Sequence, residues 1–559
     1  MRIRWTAVAG VKTMRDLQHV AGVGPPRLPP ALAGLMAPLA YPHPVDAVEL
    51  IETPIAWVLL AGQFAYKVKR PVRYPFIDLT SAERRRLLCE EELRLNRRFA
   101  PALYLEVCEI VSVEGAARIR LRTGESGQAH RGILEHAVRM RRFSRRDELD
   151  HLLASHHIEP VELEAFGRSL AEVHAGLPEA QADSLWGTPQ GVQTQLVRNL
   201  LECAEAAGDF GTAEEVLALR QVFEQRILAA RSCMAVRREA GRVRECHGDL
   251  HSRNIVRLDA RLVAFDCLEY EPAFRWIDVA DEIAFLTSDL GSRHCGRHAH
   301  AFLSGYLARS GDYHACRLVR LYEVHRALVR AKVAALSAAG LAQGPERQSL
   351  RQEHQRLIAH AAAALTPGKP LLLLMCGLSG SGKTWLARLL AERLSALHLR
   401  SDVERKRRAG LGSQARSGSG LAEGLYSSRM SACVYDDLAR AAQDGLTGGY
   451  NVIVDATFLR REQRTRFAAL GATLGSPARF VCCQAPLPVL RARVLARARV
   501  ALDPSEADLS VLDWQRGRIE PFGPDDPFDV TYVESADPQA LEKVLRRTAH
   551  PPARQCQVV

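Results

Sequence analysis

The segment from Gly377 to Thr384 has the residue types and the spacing of a phosphate-binding loop. It follows the pattern G-x-x-x-x-G-K-T, and its members are Gly377, Leu378, Ser379, Gly380, Ser381, Gly382, Lys383 and Thr384. In such a loop the backbone N–H groups point at phosphates, the lysine reaches the terminal phosphates, and the threonine hydroxyl binds magnesium. A buried-strand pattern at 371–375 precedes the loop and a helix pattern at 385–394 follows it, which a plain Gly-Ser linker would not require. The segment therefore predicts binding of ATP or GTP together with Mg²⁺.

A second group of residues with phosphoryl-transfer spacing lies upstream. Residues 247–254 read HGDLHSRN, and Phe265-Asp266 follows after a short apolar strand. In kinase-like phosphotransferases, one aspartate accepts the proton of the acceptor hydroxyl. An asparagine binds one magnesium ion, and a second aspartate provides the other contact to magnesium. The spacing assigns these roles to Asp249, Asn254 and Asp266. A polar turn between two strands is the plainer alternative.

A lysine suited to pair with the phosphates of ATP lies in the first strand pair of the chain. Strand patterns at 55–60 and 64–69 are separated by a short turn. Ala65 and Lys67 share one face, as the alanine and the lysine of a kinase V-A-I-K strand do. Lys67 is therefore preferred over Lys69 as the ATP-pairing lysine, and a solvated basic strand edge is the alternative.

The carboxylate partner of this lysine is expected on the helix pattern that follows, at 81–99. This pattern carries Glu90, Glu91 and Glu92, of which Glu91 shares a face with two leucines. Glu91 is the candidate partner of Lys67, although the helical period alone leaves the other two glutamates open.

The rest of this half of the chain divides into two lobes by its pattern. A strand at 133–140 is predicted to close the small lobe, and its backbone at 135–138 is predicted to bind adenine as a hinge does. Amphipathic helical runs follow at 161–175, 191–207 and 212–231. A further helix pattern at 275–290 carries Asp278, which is expected either to support the catalytic turn or to cap the helix.

Beyond the phosphate loop, two aspartates lie where strands of a parallel sheet are expected to end. Asp402 is expected to orient or deprotonate an acceptor hydroxyl, or else to cap a helix. Asp455 ends an apolar run and is expected to support Mg²⁺, or else to form a turn. Arg493 and Arg497 share a face of the helix pattern 489–500, where they would close over the phosphates, with a solvated helix face as the alternative.

Length and composition indicate a globular protein with more than one core. The chain has 559 residues, of which 47% are hydrophobic and 25% charged, and this composition does not favour disorder. Its formal charge of +11 favours anionic ligands such as nucleotides and leaves nucleic acid possible but not favoured. The 13 cysteines include no C-x-x-C pair, so neither zinc nor a disulfide framework is predicted. No apolar run is long enough to span a membrane and the N-terminal pattern is a poor signal peptide, so we expect a cytoplasmic protein with no membrane partner.

Residues 42–338 resemble the aminoglycoside phosphotransferase family, a branch of the kinase-like fold, and the HGDLHSRN segment is the specific part of the match. The resemblance implies transfer of the γ-phosphate of ATP to a small-molecule hydroxyl, with Asp249 as base and with Asn254 and Asp266 on magnesium. One departure concerns the phosphates, because no G-x-G-x-x-G loop precedes Lys67 and only Ala61-Gly62 is present. Similar domains phosphorylate choline, amino sugars and other alcohols, so the resemblance does not fix the acceptor.

Residues 369–547 resemble the gluconate kinase and polynucleotide kinase group of P-loop kinases. The phosphate loop is the specific motif of this match. The order of the two blocks is similar to that of bacterial bifunctional proteins described as an aminoglycoside phosphotransferase plus an ATP-binding domain.

The chain is therefore predicted to have two domains. The expected fold class is an N-terminal α+β bilobal kinase-like fold followed by a C-terminal α/β P-loop NTPase with a parallel sheet. The predicted ranges are 1–30 for a flexible extension, 31–365 for the kinase-like domain with its small lobe up to about 140, 366–370 for a linker, 371–547 for the P-loop kinase domain and 548–559 for a loose tail.

The expected function is that of a tandem phosphotransferase that uses ATP and Mg²⁺ and acts on small-molecule hydroxyl groups. One alternative is a nucleotide-dependent switch or sensor in which the kinase-like lobe only binds a ligand. Another is a polynucleotide 5′-end kinase, which the basic stretch 405–408 suggests, although no aromatic residues are interleaved there for base stacking.

Overall fold

The computed structural model describes most of the chain and forms two compact units. The described ranges are 28–74, 77–121, 132–339, 341–412, 427–500, 505, 507–523 and 526–549. The first unit comprises Met1–Glu162, Glu172–Cys295 and Leu321–Leu365, and the second comprises Leu163–Ala171, Gly296–Arg320 and Thr366–Val559. The predicted loose segments 1–30 and 548–559 lie almost wholly outside the described residues.

The first unit begins with an antiparallel sheet that carries one long helix. Its elements are β1 (Val48–Glu52), β2 (Ala56–Ala61), β3 (Phe64–Lys69), β4 (Arg73–Tyr74), β5 (Ile77–Asp78), α1 (Ala82–Asn96), β6 (Tyr104–Val113), β7 (Ala116–Arg120) and β8 (Ile133–Arg141). Six strands pair in the order β1-β2-β3-β8-β6-β7. The predicted strand pair is confirmed as the β2–β3 hairpin, in which Val58 lies opposite Lys67.

The turn that precedes β2 differs from a glycine-rich phosphate loop. Ala61 ends β2 and Gly62 lies in the β2–β3 turn, so they do not occupy the place of such a loop. The β1–β2 connection is the short turn 53–55, closed by Thr53, which donates its backbone N–H to the carbonyl oxygen of Ala56 at 2.8 Å and accepts the Ala56 N–H on Oγ1 at 2.9 Å. The turn is therefore fixed by its own hydrogen bonds.

The predicted hinge at 135–138 is wrong, because this backbone lies inside the sheet. Ala137 and Val138 pair with β3 on one side and with β6 on the other, and the two residues before them pair with β6. The chain leaves the sheet only after Arg141, so the hinge position falls at 142–144. The error arose because the sequence shows where a strand lies but not how many neighbours it has.

The larger part of the first unit is helical and includes two short pairs of strands. The elements are α2 (Leu149–Ala154), α3 (Pro160–Ala175), α4 (Pro189–Ala206), α5 (Ala213–Ala218), α6 (Arg220–Glu239), β9 (Val243–Glu245), β10 (Ile255–Leu258), β11 (Arg261–Ala264), β12 (Trp276–Asp278), α7 (Val279–Ser292), α8 (Gly296–Ser310), α9 (Cys316–Ala338) and α10 (Pro345–Leu365), of which α8 lies in the second unit and α3 and α9 contribute to both. β10 pairs with β11, and β9 with β12.

Two helix predictions in this region need correction. The run 212–231 is two helices, α5 and α6, and Leu219 between them keeps a helical backbone, so the apolar period continues across the break. The pattern 275–290 begins with β12, and α7 starts only at Val279 because Asp278 caps it, accepting the N–H of Ala280 at 2.8 Å.

The second unit contains a parallel sheet covered by helices. Its elements after residue 366 are β13 (Leu372–Cys376), α11 (Lys383–Leu394), β14 (Ala396–Arg400), α12 (Ser401–Arg408), α13 (Ser428–Thr447), β15 (Asn451–Asp455), α14 (Arg461–Thr473), β16 (Ala478–Gln484), α15 (Leu487–Val500), α16 (Leu509–Arg516), β17 (Asp529–Glu534) and α17 (Ala540–Ala549). The strand order is β14-β15-β13-β16-β17, and every pair is parallel. The carboxyl ends of parallel strands meet at one edge, where the phosphate loop follows β13.

Every residue of β13 is buried, as expected for the central strand of a sheet with both faces covered. Among the residues that the structure describes, no helix combines the length and the apolar character needed to cross a membrane.

Candidate functional site

Lys67 on β3 joins two carboxylates from distant parts of the first unit. Its Nζ lies 2.8 Å from Glu92 Oε1 and 2.5 Å from Asp266 Oδ1. Burial alone would lower the pKa of Lys67, but the charges of Asp266 and Glu92 outweigh it and hold the pKa well above its ordinary value. Lys67 therefore stays a cation between α1 and the segment after β11.

The predicted pairing of Lys67 with Glu91 is wrong, since the partner on α1 is Glu92. Glu91 points to the other side of the helix, where it binds Arg94 at 2.7 Å and Arg275 at 2.9 Å. The inward face of α1 is formed by Arg85, Cys89, Glu92, Leu95 and Asn96. One residue along a helix turns the side chain by roughly 100°, so a choice among adjacent glutamates needs the tertiary neighbours.

Lys69 forms a second buried pair beside the first. It is 2% exposed and lies 2.7 Å from Glu92 Oε2 and 2.5 Å from Glu269 Oε1. Burial would raise the pKa of Glu92, but Lys67 and Lys69 lower it to about 2. The same burial raises the pKa of Glu269, and Lys69 opposes that rise.

Asp249 lies in the loop after β9 with its carboxylate one-third exposed. Its Oδ2 accepts the side-chain amide of Asn254 at 2.9 Å and lies 3.4 Å from His251 Nε2. Burial opposes ionisation of Asp249, but His251, with Arg330 behind it, holds the pKa of this carboxyl below its ordinary value. An ionised oxygen that is partly open to solvent can accept a proton from a bound hydroxyl group.

The loop that carries Asp249 is fixed by the buried side chain of Glu282 on α7. Glu282 accepts the backbone N–H of His247 at 2.7 Å and that of Gly248 at 3.0 Å. Burial raises the pKa of Glu282 to about 7. Of the two roles left open for Asp278, the structure shows the helix cap, and Arg237 binds its carboxylate at 2.8 Å through two nitrogens.

Asp266 has a left-handed backbone with φ of 64°, unusual for a residue with a side chain. Tyr104 Oη accepts its backbone N–H at 3.0 Å, and Asn96 Oδ1 accepts that of Cys267 at 3.0 Å. These bonds aim the carboxylate, whose exposed fraction is 45%, into the cleft beside Lys67. Strain of this kind persists where surrounding contacts fix it, often at functional positions.

The donor atoms around this cleft fit a magnesium ion. Asn254 and Asp266 offer amide and carboxylate oxygens, the hard oxygen ligands that Mg²⁺ prefers. Only one oxygen of Asp266 lies against Lys67, and its carboxylate stays partly exposed, so it retains capacity for a cation.

A cleft with mixed lining adjoins the segment 142–144. A cavity of about 720 Å³ is lined by apolar residues such as Ile51, Leu60 and Phe143 and by charged ones such as Glu49 and Arg145. Close to it, Phe143 meets Phe265 edge-on with ring centroids 5.0 Å apart. A flat aromatic ligand would find apolar surfaces here and the backbone of 142–144 at its edge.

In the second unit, three glycines of the phosphate loop have backbone geometries that suit glycine. Gly377, Gly380 and Gly382 have φ of 133°, 83° and 85°. A Cβ atom at Gly377 would lie 2.5 Å from the carbonyl oxygen of Cys483. The buried Ser381 Oγ has no hydrogen-bond partner among the described residues. This tight loop at the N-terminus of α11 is suited to phosphate.

Asp455 ends β15 at the same sheet edge and is 3% exposed. His398 Nε2 lies 3.2 Å from Asp455 Oδ2, and Arg400 Nε lies 4.0 Å from the same oxygen. Burial alone would raise the pKa of Asp455, but His398, helped by Lys383, lowers it to about 2. Asp455 Oδ1 is buried without a hydrogen-bond partner among the described residues, which fits an oxygen reserved for Mg²⁺ or its water ligands.

The remaining predicted residues of this unit take different positions. Asp402 lies two residues after the end of β14, in the first turn of α12. Arg493 donates to the carbonyl oxygen of Gly380 at 3.2 Å and to Ser535 Oγ at 2.7 Å, so it touches the phosphate loop. Arg497 donates to the carbonyl oxygen of Ala507 at 2.8 Å. The two arginines therefore contact different segments, although they share a helix.

Two residues that complete these sites were weighed and not preferred, namely Lys69 beside Lys67 and Glu92 beside Glu91. Four others were missed altogether: Glu269, Glu282, His398 and Arg400. His398 and Arg400 had a signal, because they alternate on one face of a strand. Glu282 and Glu269 had none, since each acts through a contact between segments far apart in the sequence.

Comparison with known proteins places both halves in families. Residues 73–319 match the model described as the phosphotransferase enzyme family, and residues 372–522 match the model described as an AAA domain. An uncharacterized protein of Mycobacterium tuberculosis (strain ATCC 25618 / H37Rv) is 30% identical over 497 residues, which cover 86% of this chain and 94% of that protein. An uncharacterized protein of Mycobacterium bovis (strain ATCC BAA-935 / AF2122/97) matches to the same extent.

This chain belongs to the family of these mycobacterial proteins. In this chain a phosphotransferase-family region precedes a P-loop kinase region, so the family and the fold class predicted from the sequence are confirmed.

Solved structures resemble the two halves separately. A gluconokinase from Sinorhizobium meliloti is 19% identical, with a TM-score of 0.24, and the match covers 32% of this chain and 93% of that one. A choline kinase from Cryptosporidium parvum is 9% identical, with a TM-score of 0.35, and the match covers 57% of this chain and 88% of that one.

Proposed function

We propose that the first unit transfers the γ-phosphate of ATP to a hydroxyl group of a small molecule, and that the second unit is a separate Mg²⁺-nucleotide kinase site. The family membership supports a phosphotransferase. The use of ATP, the alcohol acceptor and the second active site are the proposed refinements.

One observation carries the proposal for the first unit. Lys67, Asp249, Asn254 and Asp266 come from β3 and from two loops, yet Lys67 Nζ lies 2.5 Å from Asp266 Oδ1 and Asn254 Nδ2 lies 2.9 Å from Asp249 Oδ2. A polar turn alone would not bring a buried lysine from another lobe onto Asp266. In this set Lys67 is a cation suited to phosphates, Asn254 and Asp266 offer oxygen ligands for a metal ion, and Asp249 can act as a base.

Each residue has a distinct task in this proposal. Lys67, held by Glu92, binds the phosphates through its ammonium group. Asn254 and Asp266 hold Mg²⁺, which when bound offsets the negative charge of the phosphates. Asp249 accepts the proton of the acceptor hydroxyl as the hydroxyl oxygen attacks the γ-phosphorus, and the bond from that phosphorus to the bridging oxygen breaks, so that ADP leaves. The adenine lies in the cavity beside 142–144, where the backbone can form hydrogen bonds.

The second unit is proposed to bind nucleotide through the loop 377–384. Lys383 begins α11 and its Nζ curls back to the carbonyl oxygen of Leu378 at 3.5 Å, a weak contact that a phosphate can replace. Thr384 and Asp455 hold Mg²⁺, and Arg493 stands beside the loop. Asp402 keeps its proposed role toward an acceptor, at the start of α12.

The polynucleotide kinase alternative loses support from the geometry of 405–408. Arg405 and Lys406 are 9% and 3% exposed. Arg407 pairs with Glu404, and Arg408 pairs with Asp437 at 2.8 Å. With two of these four cations buried and the other two paired with carboxylates, the stretch does not offer a continuous free basic surface to a nucleic acid backbone, so a small-molecule acceptor is preferred.

The test is Mg²⁺-dependent release of ADP by the full chain against a panel of sugars, amino alcohols, nucleosides and oligonucleotide 5′ ends. Asp249→Asn removes the base with little change in shape, and Lys383→Ala removes the phosphate contact of the second site. Asp259→Asn, an exposed aspartate on the β10–β11 turn, and Lys543→Ala, an exposed lysine in α17, are matched controls.

We expect an acceptor-dependent rate that falls by about 10²-fold or more in Asp249→Asn and stays unchanged in both controls. Loss of that rate in Lys383→Ala alone would assign the acceptor to the second unit. If no acceptor raises the rate and both site variants match the parent protein, the double kinase proposal fails and a nucleotide-dependent switch replaces it.

A further inference from the structure

Lys69 is buried beside the kinase-like site but has no task in the chemistry proposed above. Its side chain is 2% exposed and lies between Glu92 and Glu269, whose side chains are 0% and 4% exposed. A buried ammonium group is costly unless it is paired, and this one is paired twice. Its role must therefore lie in what it does to its two partners.

The carboxylate of Glu92 is divided between two lysines. Glu92 Oε1 lies 2.8 Å from Lys67 Nζ, and Glu92 Oε2 lies 2.7 Å from Lys69 Nζ. Since both oxygens are held from one strand, Glu92 cannot turn away from Lys67 without also breaking its bond to Lys69. In protein kinases this lysine–glutamate pair must be in place for activity and depends on the position of the helix that carries the glutamate.

The second partner of Lys69 connects α1 to the metal-binding segment. Glu269 lies three residues beyond Asp266, and Lys69 joins it to Glu92 through a single ammonium group. The bond from the Cys267 N–H to Asn96 Oδ1, at 3.0 Å, makes a second link between α1 and the same segment. Lys69 thus links Glu92 on α1 to Glu269 in the segment that carries Asp266, and both Glu92 and Asp266 contact Lys67.

The far side of α1 is tied down as well. Arg94 and Arg98 bind Glu245 on β9 at 2.8 and 2.9 Å, and Arg275 binds Glu91 at 2.9 Å. These ion pairs join α1 to the strand that leads into the loop of Asp249. The helix is therefore held at the position in which Glu92 meets Lys67.

We propose that Lys69 is a positioning residue that keeps Glu92 on Lys67, so that the phosphate-binding pair is assembled before ATP arrives and needs no activating movement of α1. This inference rests on the proposed function of the first unit and deepens it. It describes a site in which α1 does not have to move before the site can bind ATP. A protein kinase lysine acts with one glutamate, whereas here a second lysine holds that glutamate in place.

The experiment uses the full chain with Lys383→Ala in every variant, so that the second site does not obscure the first. Mg²⁺-dependent binding of a fluorescent ATP analogue is measured by titration well below the unfolding temperature. Lys69→Met/Glu269→Gln is the main variant because it removes the bond to Glu92 while keeping the buried charges balanced. We expect near-parental thermal stability and an affinity weakened by about tenfold or more, as for the loss of a charge-assisted bond.

A double-mutant cycle tests whether Lys69 acts through Glu92. Glu92→Gln should weaken nucleotide binding by a similar factor, and adding Lys69→Met/Glu269→Gln to it should cause no further loss. Additive losses would overturn the proposal, because Lys69 would then act on the nucleotide directly. Parental affinity in Lys69→Met/Glu269→Gln would also overturn it, because Lys69 would then only balance buried charge.

A separate variant distinguishes failure of this inference from failure of the proposed function. Lys67→Met in the same background should lose nucleotide binding. If it binds the analogue as its parent does, the first unit does not use Lys67 for ATP, and the proposed function falls together with this inference. If Lys67→Met loses binding while the Lys69 variants keep it, only the inference falls.

Discussion

Two adjacent glutamates on α1 show how much one residue can matter. Glu91 is 26% exposed and pairs with arginines, whereas Glu92 is fully buried and holds both lysines of β3. The residue types are the same, so the difference comes from the side of the helix on which each one lies. The lysine pair of this site depends on Glu92, whereas sequence spacing alone selects its neighbour Glu91.

Glu92→Ala is expected to lower acceptor-dependent turnover by about 10²-fold, whereas Glu91→Ala is expected to lower it by less than about fivefold. Removing Glu92 leaves two buried lysines without their shared partner, but removing Glu91 breaks pairs that are partly solvated. Steady-state ADP release at saturating ATP checks both variants. Equal losses in the two would contradict the assignment of Glu92.

Comparison of two glycine substitutions, one in the phosphate loop and one outside it, separates backbone strain from steric clash. Gly377→Ala is expected to abolish nucleotide binding by the second unit and to destabilise it by about 2–4 kcal/mol, because φ is 133° and the new Cβ would meet a carbonyl oxygen at 2.5 Å. Gly475→Ala is the matched control, since its φ is 68° and nothing lies within 4 Å of the new atom. It should lose about 1 kcal/mol and keep its affinity. Denaturant titration and nucleotide binding measure both effects.

At the scale of elements, α15 packs against the phosphate loop through Leu490, which lies close to Gly380, and through Arg493. Arg493 bonds to the carbonyl oxygen of Gly380 and to Ser535, which itself packs against Gly382. Movement of α15 would therefore shift the loop backbone, and the loop in turn restrains the helix. Arg491 on the same helix instead faces solvent and pairs with Asp513.

Arg493→Ala is expected to weaken nucleotide binding at the second site by about tenfold, because the loop loses a bond that fixes its carbonyl and the phosphates lose a nearby cation. Arg491→Ala should bind as the parent protein does, since exposed pairs contribute little. Nucleotide titration in a Lys67→Met background, in which the first site is expected not to bind nucleotide, isolates the second site. A matching loss in Arg491→Ala would show that the general charge of the helix matters, not the contact of Arg493.

The elements also show what could be predicted from the sequence. The phosphate loop, the β2–β3 hairpin and the HGDLHSRN loop are local patterns, and each is placed correctly because its signal lies within a few residues. The hinge and the partner of Lys67 were placed wrongly, since each depends on which segments become neighbours. The capping of α7 by Asp278 was one of two readings, and only the β9–β12 pairing reveals the strand before it.

At the scale of the whole molecule, acid sensitivity should come from buried histidines. Burial lowers the pKa of His174 from 6.5 to about 3 and that of His247 from 6.5 to about 4. Both side chains are almost fully buried. As the pH falls below 6.5, these two histidines take up protons in the unfolded chain and not in the folded chain, so their contribution lowers the free energy of unfolding until about pH 4, while Glu282 contributes in the opposite direction between pH 7 and its unfolded value.

Each of these histidines is expected to reduce the free energy of unfolding by up to about 1.4 kcal/mol per pH unit in that window. His174→Gln should reduce the dependence of the free energy of unfolding on pH by about the contribution of one proton. This holds even if the substitution also lowers stability at neutral pH. Denaturant titrations between pH 7 and pH 4.5 measure the slope. A slope unchanged by His174→Gln would contradict a neutral buried His174 in the folded state.

The short β1–β2 turn has a consequence for the timing of catalysis. Thr53 forms two hydrogen bonds with Ala56, so this turn is closed by its own contacts. In many kinases a loop over the nucleotide must open before the product leaves, and that step often limits turnover. For the proposed ATP site we expect no such opening step, so release of ADP should follow the affinity for ADP and should not slow as solvent viscosity rises.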